Sequence, residues 1–66
     1  MQVLLNGDTV DIRDKSTIAE LLEQLQIGRE RVAVEVNLEI VPKADYGKHA
    51  LTAGDKIEIV HFVGGG

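Results

Sequence analysis

Hydrophobic positions recur at period two near the start of the chain. Val3 and Leu5 alternate with Gln2 and Leu4, and Val10 and Ile12 with Thr9 and Asp11. Such alternation puts one set of side chains on one face of a strand. Asn6-Gly7-Asp8 separates the two runs, and Asn-Gly favours a two-residue hairpin turn because both residues tolerate positive φ. The pattern predicts an N-terminal hairpin with Val3, Leu5, Val10 and Ile12 facing inward.

The period then lengthens. Residues 13–16 read as a loop, in which Ser16, the only serine, is expected to serve a capping role. Thr17 and Glu20 fit a capping box, with the Thr17 hydroxyl accepting from the Glu20 amide and Glu20 reaching back to Thr17. Ile18, Leu21, Leu22 and Leu25 follow at helical spacing, and Gly28 can supply a left-handed stop. A helix of about three turns is predicted, one that needs a sheet to cover. Val32, Val34 and Val36 return to period two, and Asn37 suits a turn. Residues 38–41 read as a short strand ended by Pro42, which has no amide to extend a ladder. Residues 43–50 are irregular or one helical turn, with Tyr46 packed down as an anchor. Ala53-Gly54-Asp55 is a turn signal, and residues 57–63 form an apolar run for the last strand. A hairpin, a crossing helix and further strands imply an α+β two-layer domain, a mixed sheet with one helix on one face.

Composition narrows the function classes. Sixty-six residues make one small domain with a limited core. The chain has no Cys, which removes disulfides, iron–sulfur clusters and thiol nucleophiles. Net charge is −4, and the seven basic residues are spread out; phosphate binding needs clustered Lys and Arg, so nucleic acid is not an expected partner. No apolar run reaches the ~20 residues that cross a membrane. Without a basic or signal-like N-terminus, the expected setting is soluble and cytoplasmic.

Side-chain chemistry is hard to place. His49 and His61 lack acidic neighbours at metal-site spacing, so neither a catalytic residue nor a metal site is expected. The dispersed carboxylates read as a solvated surface. The last strand says more. Ile57 and Ile59 face the helix by alternation, which turns Val60 and Phe62 outward as a docking patch, joined by Leu4 from the first strand. Gly64, Gly65 and Gly66 follow. Three extended residues span about 10 Å, and without Cβ atoms they pass where side chains clash. By itself such an end is either a frayed terminus or an access arm for a carboxylate. The expected organisation is a folded domain over 1–63 and a flexible glycine tail over 64–66.

The order of Ser16-Thr17-Ile18-Ala19-Glu20-Leu21-Leu22, Val34-Glu35-Val36-Asn37, Ile40-Val41-Pro42, Gly54-Asp55-Lys56-Ile57 and the closing Gly65-Gly66 resembles the ThiS family, the sulfur carriers of thiamine biosynthesis. Single motifs are weak; their order and the total length together are more specific. The resemblance implies a ubiquitin-like β-grasp fold with a mixed four- to five-stranded sheet on one main helix, monomeric when free. It also implies a carrier that is not an enzyme. The Gly66 carboxylate is adenylated by a ThiF-like adenylyltransferase, which uses ATP and Mg²⁺; the carrier itself binds no cofactor. A sulfur donor such as a cysteine desulfurase then converts the adenylate to a thiocarboxylate, which gives its sulfur to a ThiG-like thiazole synthase. Gly64 and Gly65 form the arm, one glycine longer than the family's diglycine. A carrier of another pathway, such as the small subunit of molybdopterin synthase, and a ubiquitin-like protein modifier stay open as alternatives. Carriers of the molybdopterin type tend to be longer, with a Pro-containing segment before Gly-Gly that residues 60–64 lack.

Overall fold

The structure is a computed structural model that describes residues 1–62. Strand β1 (Gln2–Leu5) turns through Asn6 and Gly7 into β2 (Asp8–Asp11). The turn residues have φ of 48° and 88°, the two positive values of a type I′ turn, and the register pairs Leu5 with Asp8 and Val3 with Val10. Helix α1 (Ile18–Gln24), β3 (Val32–Val36), β4 (Glu39–Val41) and β5 (Lys56–His61) follow, with single 3₁₀ turns at Arg29–Arg31 and Lys43–Asp45. The sheet order is β2-β1-β5-β3-β4. The β1–β5 contact is parallel and the other pairings are antiparallel. The sheet is therefore mixed, with the last strand at its centre.

One face of the sheet buries its apolar residues against α1. Val3, Val32, Val34, Val36, Ile57 and Ile59 meet Ile18, Leu21 and Leu22 in a single cluster that also holds Tyr46 and Leu51. Leu5 and Val10 are only partly buried against that cluster. The capping box forms as expected: the Glu20 amide donates to Thr17 Oγ1 at 3.1 Å, and the Thr17 amide to Glu20 Oε1 at 2.9 Å. Hydrogen bonding to the carboxylate, from the Thr17 backbone amide first and then from the Thr17 side chain, holds the Glu20 carboxyl below its ordinary value. The amides of Ile18 and Ala19 donate to His49 and Tyr46 carbonyls at 3.1 and 2.9 Å. With Glu20, the free donors of the first helical turn are thus satisfied. Ser16 is not the cap; its hydroxyl donates to the Arg13 carbonyl at 2.7 Å and closes the loop before the helix.

Two expectations about α1 are corrected. The helix is seven residues, two turns rather than three, and Gly28 does not end it. Gly28 has φ −73°, whereas Gln26 takes the left-handed position at φ 59°. The Ile27 amide donates to the Leu22 carbonyl and the Gln26 amide to the Glu23 carbonyl, at 2.9 and 3.0 Å, the bond pair of a Schellman stop. The helix ends early because Ile27, partly buried against the core, draws the chain back onto the sheet. A side chain in that backbone region costs about 1 kcal/mol relative to glycine. Gln26→Gly is therefore expected to raise the stability by about 0.5–1 kcal/mol, read as a higher urea midpoint at unchanged slope.

Residues 38–41 are also not all strand. Asn37 and Leu38 have φ of 53° and 72° and form a second two-residue turn, with Val36 paired to Glu39. Leu38 therefore leaves β4 for the turn tip. The favourable Val34–Val41 register requires a turn of that length, which outweighs the poor fit of leucine to positive φ.

Candidate functional site

Strand β5 is the element that precedes the glycines in sequence, and it is held on both sides. On the β1 side the Asn6 amide donates to the Ile57 carbonyl at 2.9 Å, while Asn6 Oδ1 accepts from the Ile59 amide at 2.8 Å and Nδ2 donates to the Ile59 carbonyl at 3.3 Å. The Asn6 side chain thus continues the parallel ladder after β1 has turned away. On the β3 side Asn37 does the same at the strand's beginning. Its amide donates to the Lys56 carbonyl at 2.7 Å and its Oδ1 accepts from the Lys56 amide at 3.0 Å. Both asparagines open a type I′ turn, where positive φ swings the side-chain amide toward β5.

Asp55 secures the start of β5. Its carboxylate accepts from the Thr52 amide at 2.8 Å, the Thr52 hydroxyl at 2.9 Å and Asn37 Nδ2 at 3.0 Å. Burial works against its charge. The Thr52 amide bond, then the Asn37 and Thr52 side-chain bonds and the nearby His49 outweigh that, so the carboxyl lies below its ordinary value.

Alternation along β5 leaves Val60 and Phe62 55% and 58% exposed. Val60 stands on the sheet face that α1 does not cover, opposite Ala33. Phe62 lies just past the strand: its amide donates to the Arg31 carbonyl at 2.9 Å, and the Lys43 ammonium sits 5.5 Å from its ring centroid. Leu4 shares the open face but does not join them. It is half-buried and in register with Lys56, four residues before Val60; the parallel pairing of β1 with β5, invisible in local alternation, sets that offset. Ile40, 74% exposed and opposite Glu35, and Leu38, 84% exposed, were not expected on the surface. Ile40 was hidden by ambiguity in the strand's register, and Leu38 by the absence of any turn signal in leucine itself. Val63 and the glycines Gly64, Gly65 and Gly66, with the expected boundary after residue 63, lie outside the described residues.

Elsewhere a groove of about 400 Å³ runs between β4 and residues 49–55, with Asp45, His49 and Asp55 among its lining. Asp55 is already committed to Thr52 and Asn37 there. Among the described residues no group of three His, Cys, Asp or Glu is placed to hold a metal ion, and no helix is long and apolar enough to cross a membrane.

The sequence model of the ThiS family matches residues 3–66. The chain belongs to the ThiS family. It is 48% identical over 63 residues to the sulfur carrier protein ThiS of Bacillus subtilis, covering 94% of this chain and 96% of that one. A crystal structure of the thiamine biosynthesis protein ThiS of Geobacter metallireducens superposes with a TM-score of 0.86 at 29% identity, over 100% of both chains. A thiazole synthase of Paramagnetospirillum magneticum is 46% identical over 66 residues. The chain spans 20% of the length of the thiazole synthases it matches. The five-stranded mixed sheet with one helix is the ubiquitin-like β-grasp fold of the ThiS structures.

Proposed function

We propose that this ThiS-family chain is the sulfur carrier of thiazole formation in thiamine biosynthesis, and that Gly66 bears the sulfur. The observation that carries the reading is the ThiS match, which runs through residue 66 and so takes in the glycines. The fold supports it, because β5, which precedes the glycines, is fixed at the sheet centre by Asn6 and Asn37. The chemistry follows from the electrophile. A carboxylate resists nucleophilic attack, so a ThiF-like adenylyltransferase joins it to the α-phosphate of Mg²⁺·ATP, with pyrophosphate leaving. A persulfide sulfur from a cysteine desulfurase system attacks the acyl adenylate and AMP leaves. A thiol cleaves the resulting acyl disulfide and frees the thiocarboxylate. A ThiG-like thiazole synthase consumes that sulfur; proteins named thiazole synthase that contain a stretch similar to this whole chain support such a partner. ATP and Mg²⁺ belong to the adenylyltransferase, and the carrier binds no cofactor and catalyses no step. Val60 and Phe62 are assigned to partner docking, Gly64 and Gly65 to a flexible access arm, and the setting is the cytoplasm.

The test is intact-mass measurement after incubation with a ThiF-type adenylyltransferase, ATP, Mg²⁺ and a persulfide donor. The expected product has one oxygen replaced by sulfur, localised to Gly66 by fragmentation, and a chain lacking Gly66 gives none. An unchanged mass for the intact chain rejects the carrier reading.

A further inference from the structure

Asn6 serves the fold twice. It opens the first type I′ turn, with φ 48°, and its carboxamide holds β5: Oδ1 accepts from the Ile59 amide at 2.8 Å and Nδ2 donates to the Ile59 carbonyl at 3.3 Å. Glycine follows it. Both residues are exposed, and among the described residues nothing but the chain neighbours stands within 4 Å of where a Cβ on Gly7 would be. An asparagine carboxamide carbon is an electrophile, one five-membered ring away from the next backbone nitrogen. Glycine leaves that nitrogen unhindered because it has no side chain. Asn37, the other asparagine of the chain, opens the second type I′ turn at φ 53° and is pinned by Lys56 and Asp55. Leu38 follows it, and a branched side chain there crowds the approach. The two turns share a geometry and differ in the residue whose nitrogen would attack.

We infer that Asn6 is a site of spontaneous covalent modification, deamidation through a succinimide, and that its own clamp on β5 holds the reaction off. The Gly7 backbone nitrogen loses its proton and bonds to Asn6 Cγ; the Cγ–Nδ2 bond breaks and that nitrogen leaves as ammonia. Water then opens the ring at either carbonyl. Opening at Cγ gives aspartate, and opening at the main-chain carbonyl gives isoaspartate. The folded turn forbids the first bond. A type I′ turn sets ψ of its first central residue at about +30°, which places Asn6 Cβ nearly anti to the Gly7 nitrogen, whereas ring closure needs them eclipsed, a rotation of about 150°. That rotation undoes the turn and both bonds to Ile59, so the reaction runs from locally opened molecules. Once it has run, the clamp cannot re-form. Aspartate sets a carboxylate oxygen where Nδ2 donated, acceptor against the Ile59 carbonyl. Isoaspartate also adds a carbon to the main chain of a two-residue loop whose length fixes the Leu5–Asp8 register. The site thus turns a transient opening at the β5 edge into a permanent loss of its hold. The inference stands apart from the carrier reading.

The test is incubation of the full chain at one mildly alkaline pH, native and in urea above its unfolding midpoint, followed by intact mass and peptide mapping. The unfolded chain should show the mass gain of an amide-to-acid change at Asn6, with isoaspartate among the products, and far less change at Asn37. The native chain should convert at least about tenfold more slowly. In urea, where the fold no longer contributes, Gly7→Ala should slow the conversion severalfold, because its methyl group hinders the nitrogen. Converted chain, separated by ion exchange and returned to native buffer, should melt about 5 °C or more below the unaltered chain. Asn6→Asp, which reproduces one of the two products, should also lower the Tm. No conversion at Asn6 in urea, or as much at Asn37, rejects the site. Equal rates in the native and unfolded chain reject the protection by the turn and β5. A converted chain with an unchanged Tm rejects the loss of hold on the strand.

Discussion

Tyr46→Ala is expected to cost about 3–5 kcal/mol, the range for removing a large buried aromatic side chain. Tyr46 is 1% exposed and stands first by volume among the fully buried side chains. Its position does a second job. The 3₁₀ turn Lys43–Asp45 delivers it beneath α1, where its carbonyl receives the Ala19 amide. Loss of the ring therefore opens a cavity and loosens the segment that satisfies the helix N-terminus. A domain of this length has a total stability of roughly 3–10 kcal/mol, at 0.05–0.15 kcal/mol per residue. The variant should thus be largely unfolded by circular dichroism or show a sharply lowered urea midpoint. Tyr46→Phe retains the volume and should stay within about 1.5 kcal/mol of the unaltered chain. Equal losses in the two variants would move the burden from the ring to its hydroxyl.

Asp55→Ala is expected to cost about 2–3 kcal/mol, because it strands the Thr52 amide and the Asn37 side chain in a partly buried turn. The consequences reach beyond the turn, since Asn37 also holds the first residue of β5. The same carboxylate makes stability depend on acid. Its pKa in the fold lies below the ordinary value, so the folded state binds its proton less readily than the unfolded chain. Its contribution is fully present above the unfolded value of about 3.9, and is lost as pH falls from there through the lower folded value. Urea melts across that interval should show the unaltered chain losing stability faster than Asp55→Asn, which has no carboxyl to protonate. Parallel profiles would show that Asp55 has the same proton affinity in both states.

The elements that were legible in the chain are those specified by neighbours in sequence. Asn6-Gly7 dictated a tight hairpin because both residues accept positive φ. Thr17 and Glu20 dictated the helix start because their mutual bonds close within one turn. The alternating valines at 32, 34 and 36 marked a strand with one buried face. The errors fell where a distant contact overrode a local preference. Gly28 looked like the helix stop, but the pull of Ile27 toward the core placed it at Gln26. Leu38 looked like strand, but the pairing of β3 with β4 required it in a turn.

Family membership was likewise within reach of the sequence, since the order of motifs is a linear feature. What only the tertiary structure decided is which residues stand together on the open face. Alternation tells which side of a strand a residue occupies, but says nothing about which strand lies beside it or in what register. The parallel docking of β1 on β5 separated Leu4 from Val60, and the antiparallel docking of β3 on β5 set Glu35 against Glu58. Those pairings join residues far apart in the chain, and their energies are spread over a whole core, so no local pattern records them.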